Sequence, residues 1–400
     1  MKTLDQFLTE KNTRLLDDND LYKFTMMWAV MDHFPDAWVR YEFVNRDNRQ
    51  FPPNFASNLR KRIHNQDGIL LTQERINKIK SKAPYLPSMF LDFLKGYRFD
   101  MSELSIAQYD DKLQVLGEGY WYRTILWEVY LMSEISELYF LMTKPKHELS
   151  ESQLEEYNQK KATNLQLHDV KFVDFGTRRR YSWEHQHNVV RALKSYGGKN
   201  FIGSSNLALA IDLDVKVIGT YAHEWVSGIA SIMGYRHANK HAMELWTQTY
   251  DGNLGIALTD TFGIDAFLQD FNLKYAKLFD GVRHDSGDPF KFTDRIVEHY
   301  HKLGIDPIQS NKTIVFSDGL DPELAIKLNN YCSRKIHSSF GIGTNFTNDI
   351  PGVKPLNIVI KLFGLNGNPT IKLSDIPEKH TGDDETIEIV KKYINYKPLE

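Results

Sequence analysis

Cysteine occurs once in the 400 residues, at Cys332. A single thiol excludes an internal disulfide framework and a thiolate zinc site, and it suits a reducing compartment. Neither sign of charge dominates, because 49 Lys and Arg stand against 52 Asp and Glu for a net charge of −3. That balance gives no basic excess for tracking nucleic acid and no like-charged block that reads as a tail. Long apolar runs are missing too. The longest, Thr124 to Met142, is interrupted by Glu128, Glu134 and Glu137, which argues against a membrane span and for a buried amphipathic helix. Met1 to Glu10 holds no apolar core of a secretory signal, so a cytoplasmic location is expected. No Gly-x-x-x-x-Gly-Lys-Ser/Thr loop is present and no Gly-x-Gly-x-x-Gly follows a strand, so nucleotide binding by those two routes has no support.

What is present is enough chain for two domains, or for one large barrel with an appended domain. Residues 1–142 read as an α+β domain. Asp17 to Phe34 places Leu21, Phe24, Met27, Trp28 and Met31 at helical spacing, and Ala37 to Val44 alternates as a strand. Lys144 to Thr163 is charged, with Ser150 and Ser152 as helix caps, and predicts an exposed helix leading into a domain of residues 143–354. From Val170 onward short apolar runs recur, each ending in a small or polar residue. They are Val170 to Asp174, Phe201 to Ser204, Val217 to Thr220, Gly255 to Asp260, Leu278 to Asp285, Thr313 to Asp318 and Ser338 to Thr344, with helical stretches such as Trp183 to Tyr196 and Pro322 to Tyr331 between. Strands ending in polar groups predict an irregular α/β barrel of about seven strands whose rim carries the site, with a doubly wound open sheet as the alternative. The segment 355–400 contains two β-like runs around Gly364-Leu365-Asn366-Gly367, a hairpin signal expected to return to the first domain.

Chemistry concentrates at the ends of these runs. Arg283-His284-Asp285-Ser286-Gly287-Asp288-Pro289 sets a cation, two carboxylates, a hydroxyl and a glycine at the end of the apolar run Tyr275 to Val282. Burying such groups without partners costs several kcal/mol per charge, so a cavity holding a polar ligand competes with a solvated loop closed by a salt bridge. Asp174-Phe175-Gly176-Thr177-Arg178-Arg179-Arg180 offers an aromatic ring and three guanidinium forks that match phosphate or carboxylate oxygens. In Gly219-Thr220-Tyr221-Ala222-His223-Glu224-Trp225, a histidine follows a strand end and a carboxylate follows it that could orient the ring. Gly341-Ile342-Gly343-Thr344 suits a backbone cradle for an anion, and Asp318 suits ribose hydroxyls or hydrated Mg²⁺, or else a helix cap before Pro322.

Together these segments closely resemble the nicotinate phosphoribosyltransferase family, of the type II phosphoribosyltransferase fold. The likeness extends to Asp20-Leu21-Tyr22-Lys23, Trp127-Glu128-Val129 and Pro355 to Leu362, and so spans nearly the whole chain. The resemblance implies transfer of a phosphoribosyl group from phosphoribosyl pyrophosphate to nicotinate, the first step of NAD salvage from that base, with ATP as co-substrate and Mg²⁺ as cofactor. It implies that His223 is phosphorylated by ATP and that Phe175 and Tyr22 sandwich the pyridine ring, Tyr22 coming from the other subunit of a homodimer. Arg178, Thr220 and Arg283 are implied around nicotinate and the ribose phosphates, and Gly341, Gly343 and Thr344 around the 5-phosphate. Ser286 and Asp288 are counted with the substrate residues. Asp285 and Asp318 are implied at ribose hydroxyls or Mg²⁺. Nicotinamide-using relatives carry an Asp near Ser205, which would repel nicotinate's carboxylate, so Ser205 favours nicotinate. The nicotinamide and quinolinate versions of the transfer, and a non-catalytic sensor of phosphoribosyl compounds, are the alternatives. His284 has no assigned role.

Overall fold

In the computed structural model, residues 2–12, 16–146, 149–376 and 379–399 are described. Met1, residues 13–15, residues 147–148 of the expected connector, and residues 377–378 and 400 of the C-terminal segment lie outside them. Seven strands form one parallel sheet: β4 (Phe172–Asp174), β5 (Phe201–Ser204), β6 (Lys216–Val217), β7 (Ile256–Leu258), β8 (Gly281–His284), β9 (Thr313–Phe316) and β10 (His337–Ile342). They lie in the order β6-β5-β4-β10-β9-β8-β7, so neighbours follow the chain and the first strand pairs with the last. Such an order curls a sheet into a barrel rather than winding it open, which excludes the doubly wound alternative. The seam falls between β6 and β7. Side chains bridge it where backbone does not: the Thr220 hydroxyl donates to the Ile256 carbonyl at 3.2 Å, and the Tyr221 hydroxyl accepts from the Leu258 N–H at 3.3 Å.

The second sheet is antiparallel and five-stranded. Its strands are β1 (Trp38–Asn45), β2 (Leu104–Tyr109), β3 (Lys112–Tyr120), β11 (Ile358–Leu365) and β12 (Asn368–Pro369), in the order β12-β11-β1-β3-β2. Strand β11 pairs with β1 from Val39↔Leu365 to Asn45↔Ile358, so the tail completes the N-terminal sheet. The helix Leu21–His33 lies against the barrel, its first N–H bonded to the Ser205 carbonyl at 2.8 Å. Trp127–Thr143 is a helix buried on nearly every face, which accommodates its acids by pairing: Arg62 Nε donates to Glu134 at 2.6 Å, and the Trp183 N–H donates to Glu137 at 3.0 Å. No described helix is long and apolar enough to cross a membrane.

One expected element changes type. Tyr275 to Leu278 belongs to the helix Leu273–Leu278, and β8 begins only at Gly281. A short apolar run does not distinguish a buried strand from a buried helix turn.

Candidate functional site

All the parallel strands present their carboxyl ends to one rim, and the polar residues that end each run therefore converge. His223 opens the helix His223–Met233 after β6, and its ring is 18% exposed. Its Nδ1 lies 3.0 Å from the Thr261 hydroxyl. Its Nε2 lies 2.9 Å from Asp285 Oδ2, 2.9 Å from Lys372 Nζ and 3.6 Å from Asp260 Oδ1. Burial lowers the imidazole below the ordinary histidine value and Lys372 adds to this, while Asp260 and Asp285 oppose. The neutral form, which carries a nucleophilic lone pair, is thereby favoured.

The carboxylates respond in the opposite sense. Burial pushes the Asp285 carboxyl up, but Arg283, His223 and Lys372 more than reverse this and hold it well below the usual range. Burial acts likewise on Asp260, where His223 and Lys372 win and the carboxyl stays low. Asp285 Oδ1 accepts from the Ser317 hydroxyl at 2.7 Å. Asp260 Oδ2 accepts from the Ser286 hydroxyl at 2.6 Å, whereas its Oδ1 is buried with no hydrogen-bond partner. His223, Asp260 and Asp285 each offer a ligand atom within 4.8 Å of the others. Two hard carboxylates, one with an orphaned oxygen, fit Mg²⁺. Asp318 is placed differently: Lys379 Nζ donates to its Oδ1 at 2.6 Å.

The aromatic side of the rim is built by β4 and β10. Asp174 accepts from Ser204 Oγ at 2.7 Å and from the Gly176 N–H at 2.9 Å, which fixes the turn carrying Phe175. The Phe175 N–H donates to the Ile342 carbonyl at 2.9 Å. The ring then lies directly over Gly341, where a Cβ would come within 2.2 Å of Phe175 Cδ2. Gly343 runs beside the Phe175 carbonyl, and the partly exposed Thr344 hydroxyl makes no hydrogen bond among the described residues. Of the three arginines only Arg178 is open, 46% exposed, with Glu128 3.6 Å away. Arg180 is buried in a fork with Asp18, both bonds 2.7 Å, and Arg179 Nε donates to the Ile358 carbonyl at 2.9 Å.

Several candidates hydrogen-bond within the chain. The Ser286 hydroxyl is fully buried between Asp260, Ser374 and the Asp375 N–H. Asp288 caps the helix Pro289–Lys302 by accepting from the Phe290 and Lys291 N–H groups. Thr220 spends its hydroxyl on the barrel seam. His284 is buried, 3.2 Å from the Gly287 carbonyl and edge-on to Phe292, which gives it a packing role. Ser205 donates to Asp20 at 2.8 Å. Arg283 donates to the Tyr221 carbonyl at 3.2 Å and stands 3.7 Å from Asp285, with a buried Nε that has no partner.

One expectation needs correction. Glu224 does not orient the His223 ring; it turns into the core, accepting from Lys23, Tyr41 and, at 2.7 Å, Trp121 Nε1. Tyr22 lies near Arg178 of its own chain. Its helix starts on Ser205, and its backbone N passes Gly219. The residues that the sequence reading missed are Asp260, Thr261, Lys372 and Lys379. Asp260 ends a recognised strand run, which was a usable signal; the two lysines come from the tail and carry no local mark.

A parallel barrel open at one seam, with a histidine set between carboxylates and lysines at its rim, defines a class of mixed α/β proteins built to handle anionic ligands. The nicotinate phosphoribosyltransferase (NAPRTase) family model matches residues 170–397, and the model of that family's N-terminal domain matches residues 18–136. A nicotinate phosphoribosyltransferase of Desulforapulum autotrophicum is 48% identical over 376 residues, covering 92% of this chain and 96% of that protein. One from Chromohalobacter salexigens is 45% identical over 382 residues, 94% and 97% of the two chains. The crystal structure of nicotinate phosphoribosyltransferase from Porphyromonas gingivalis superposes with a TM-score of 0.92 at 39% identity, covering 95% of this chain and 99% of that one. This chain belongs to the nicotinate phosphoribosyltransferase family.

Proposed function

We propose that the protein transfers a phosphoribosyl group from 5-phosphoribosyl 1-pyrophosphate to nicotinate, releasing pyrophosphate and nicotinate mononucleotide, with hydrolysis of ATP coupled to turnover as an entry step to NAD. The observation that carries this reading is the placement of a largely buried His223 among Asp285, Asp260 and Lys372 on the rim that also bears Phe175, Arg178 and the Gly341–Thr344 loop. The pyridine nitrogen of nicotinate is unprotonated near neutral pH and attacks C1 of the ribose directly, so no general base is needed. The site must instead stabilise an electron-poor sugar carbon and a departing pyrophosphate, which is charge placement.

The chain's own groups suit those tasks. Phe175 and Tyr22 offer faces to the pyridine ring, a contact of about 0.5 to 1.5 kcal/mol per ring pair. Arg178, the one open guanidinium of its triplet, suits the nicotinate carboxylate. Selectivity for nicotinate thus rests on Arg178 more than on Ser205, whose hydroxyl is held by Asp20. The Gly341–Thr344 loop suits the 5-phosphate, and Lys372, Lys379 and Arg283 suit the pyrophosphate. Asp260 and Asp285 would hold Mg²⁺, which when bound would offset the charge of the leaving pyrophosphate. In the coupled step the His223 lone pair attacks the γ-phosphorus of ATP, the bond from that phosphorus to the ADP oxygen breaks, and hydrolysis of the phosphohistidine later restores the imidazole.

The test is a product assay with nicotinate, nicotinamide and quinolinate in competition, combined with γ-labelled ATP. Mononucleotide from nicotinate and acid-labile label on His223, lost in His223→Asn, are expected. Full turnover without label would refute the role of His223, and turnover of another pyridine in preference would refute the substrate. Binding of phosphoribosyl pyrophosphate without turnover of any of the three would support the sensor alternative.

A further inference from the structure

The helix Trp127–Thr143 brings one more acid beside the barrel rim. Glu128 lies in its first turn, where a carboxylate suits the positive end of the helix, and its side chain is only 11% exposed. Its two oxygens are divided between two cations. Oε2 lies 2.5 Å from Lys23 Nζ, and Oε1 lies 3.6 Å from Arg178 Nη1. Lys23 is fully buried and cannot swing away, because its second acid, Glu224, is itself held by Tyr41 and, at 2.7 Å, by Trp121 Nε1. Glu128 is therefore anchored from the core outward.

Arg178 needs such an anchor more than its neighbours do. Its turn, Thr177–Arg179, is pinned through Arg179 on the Ile358 carbonyl and through Arg180 in its fork with Asp18. The backbone is thus fixed, while the half-exposed Arg178 side chain makes no hydrogen bond among the described residues. Of the carboxylates that act on it, Glu128 alone stands within ion-pair distance among the described residues; Asp20, which accepts from Ser205, and Asp285 act from farther off. A free arginine must give up rotamer freedom when a ligand arrives, and ordering it beforehand removes that cost from binding. Glu128 also carries a charge that opposes an incoming carboxylate. Positioning outweighs this repulsion because Lys23, at 2.5 Å against 3.6 Å for Arg178, offsets most of that charge. We propose that Glu128 is a positioning residue for the pyridine substrate: held by Lys23, it orders the Arg178 guanidinium for the substrate's carboxylate. The assignment rests on the reading of Arg178 as the group that receives nicotinate's carboxylate and adds what holds it in place.

The experiment is steady-state kinetics on the full chain with each substrate varied, and thermal melting to select variants that fold. Glu128→Gln keeps the shape and an acceptor for Lys23 while removing the charge. Glu128→Asp keeps the charge on Lys23 but, one methylene shorter, cannot also reach Arg178. Either change is expected to raise the KM for nicotinate about three- to tenfold, with kcat and the KM for the sugar donor changed less than about twofold. Arg178→Gln is expected to raise the nicotinate KM further, and adding Glu128→Gln to it to raise that KM no more, since the carboxylate acts only through the guanidinium. An unchanged or lowered nicotinate KM in a folded Glu128 variant, or additive effects in the double variant, would overturn the positioning role and leave the task of Arg178 standing. An Arg178→Gln protein with the wild-type nicotinate KM would overturn both. The aspartate variant decides even where the glutamine variant misfolds, because Lys23 then keeps two carboxylates.

Discussion

Gly341→Ala adds one methyl group at the point where the site has least room. The new Cβ would sit 2.2 Å from Phe175 Cδ2 and 2.3 Å from Cε2, far inside any carbon contact, so the ring must move. The strand cannot yield instead, because β10 is paired on both sides, with Phe340↔Phe172 to Ile342↔Asp174 on one and His337↔Thr313 to Phe340↔Phe316 on the other. Forcing a methyl group into a filled interior costs about 1 to 3 kcal/mol, which lowers the melting temperature by a few degrees. Displacing the ring also removes one face from the pyridine. A loss of about 0.5 to 1.5 kcal/mol corresponds to a roughly two- to tenfold weaker hold on nicotinate, with the sugar donor little affected. Steady-state kinetics with each substrate varied, alongside thermal denaturation, reads both effects. The double variant Gly341→Ala with Phe175→Leu separates them: the smaller side chain relieves the clash and restores stability, but it does not restore nicotinate binding. The reasoning fails if Gly341→Ala melts and turns over like wild type, or if the KM for the sugar donor moves in place of that for nicotinate.

Other perturbations probe the parts that hold the site. Glu224→Ala leaves Lys23, Tyr41 and Trp121 without their shared acceptor; a loss of about 3 kcal/mol is expected in chemical denaturation, at the lower end for a severed buried pair because Glu128 still holds Lys23 at 2.5 Å. Lys361, lowered to about 7 from its usual 10.5, is charged and penalised in the folded protein below pH 7 and sheds that penalty between about pH 7 and 10.5, since there the unfolded chain binds the extra proton. Lys361→Met should therefore raise the melting temperature more at pH 6 than at pH 9, and an equal rise at both would refute it. Mixing Tyr22→Ala with His223→Asn protein should restore activity after subunit exchange if Tyr22 is donated in trans, and no recovery despite confirmed exchange would refute a shared site. Recovery would mean that Tyr22 reaches a neighbour's site.

The barrel was legible because its strands are buried on both faces and read as unbroken apolar runs, each stopping at a polar residue that the rim then uses. The hairpin of β2 and β3 was not. Its buried positions along Lys112–Tyr120 alternate with exposed ones and include Gly117 and Gly119, so the apolar signal reduces to little more than Leu113 and Val115. Gly119 is there for space, since a Cβ would meet Thr124 at 2.6 Å, and a packing constraint of that kind leaves no trace in a propensity pattern. The role first given to Glu224 fails for a geometric reason: successive helix residues point about 100° apart, so the neighbour of a rim histidine faces elsewhere. Ser286 and Asp288 lie in a segment that does build the site, yet their partners are Asp260 and a helix N-terminus. Motif membership located the segment at the rim without predicting these hydrogen-bond partners within the chain.

Lys372 and Lys379 show why the remainder could not be read locally. Their reach to the rim depends on β11 pairing with β1, because that pairing fixes where the chain leaves the N-terminal sheet before residues 372–375 dock through Asp375, which accepts from the Ile264 N–H at 2.9 Å and donates its own N–H to Ser286. A register slip of one residue in β11 would turn its buried face outward and withdraw both ammonium groups from Asp260, Asp285 and Asp318. The charge balance at His223 is therefore a property of the tail's register on the first domain, set by Ile358, Ile360, Leu362 and Leu365 packing inward. Apolar residues seven or more positions from either lysine decide the electrostatics of the histidine, which is why the site had to be assembled before its cations could be counted.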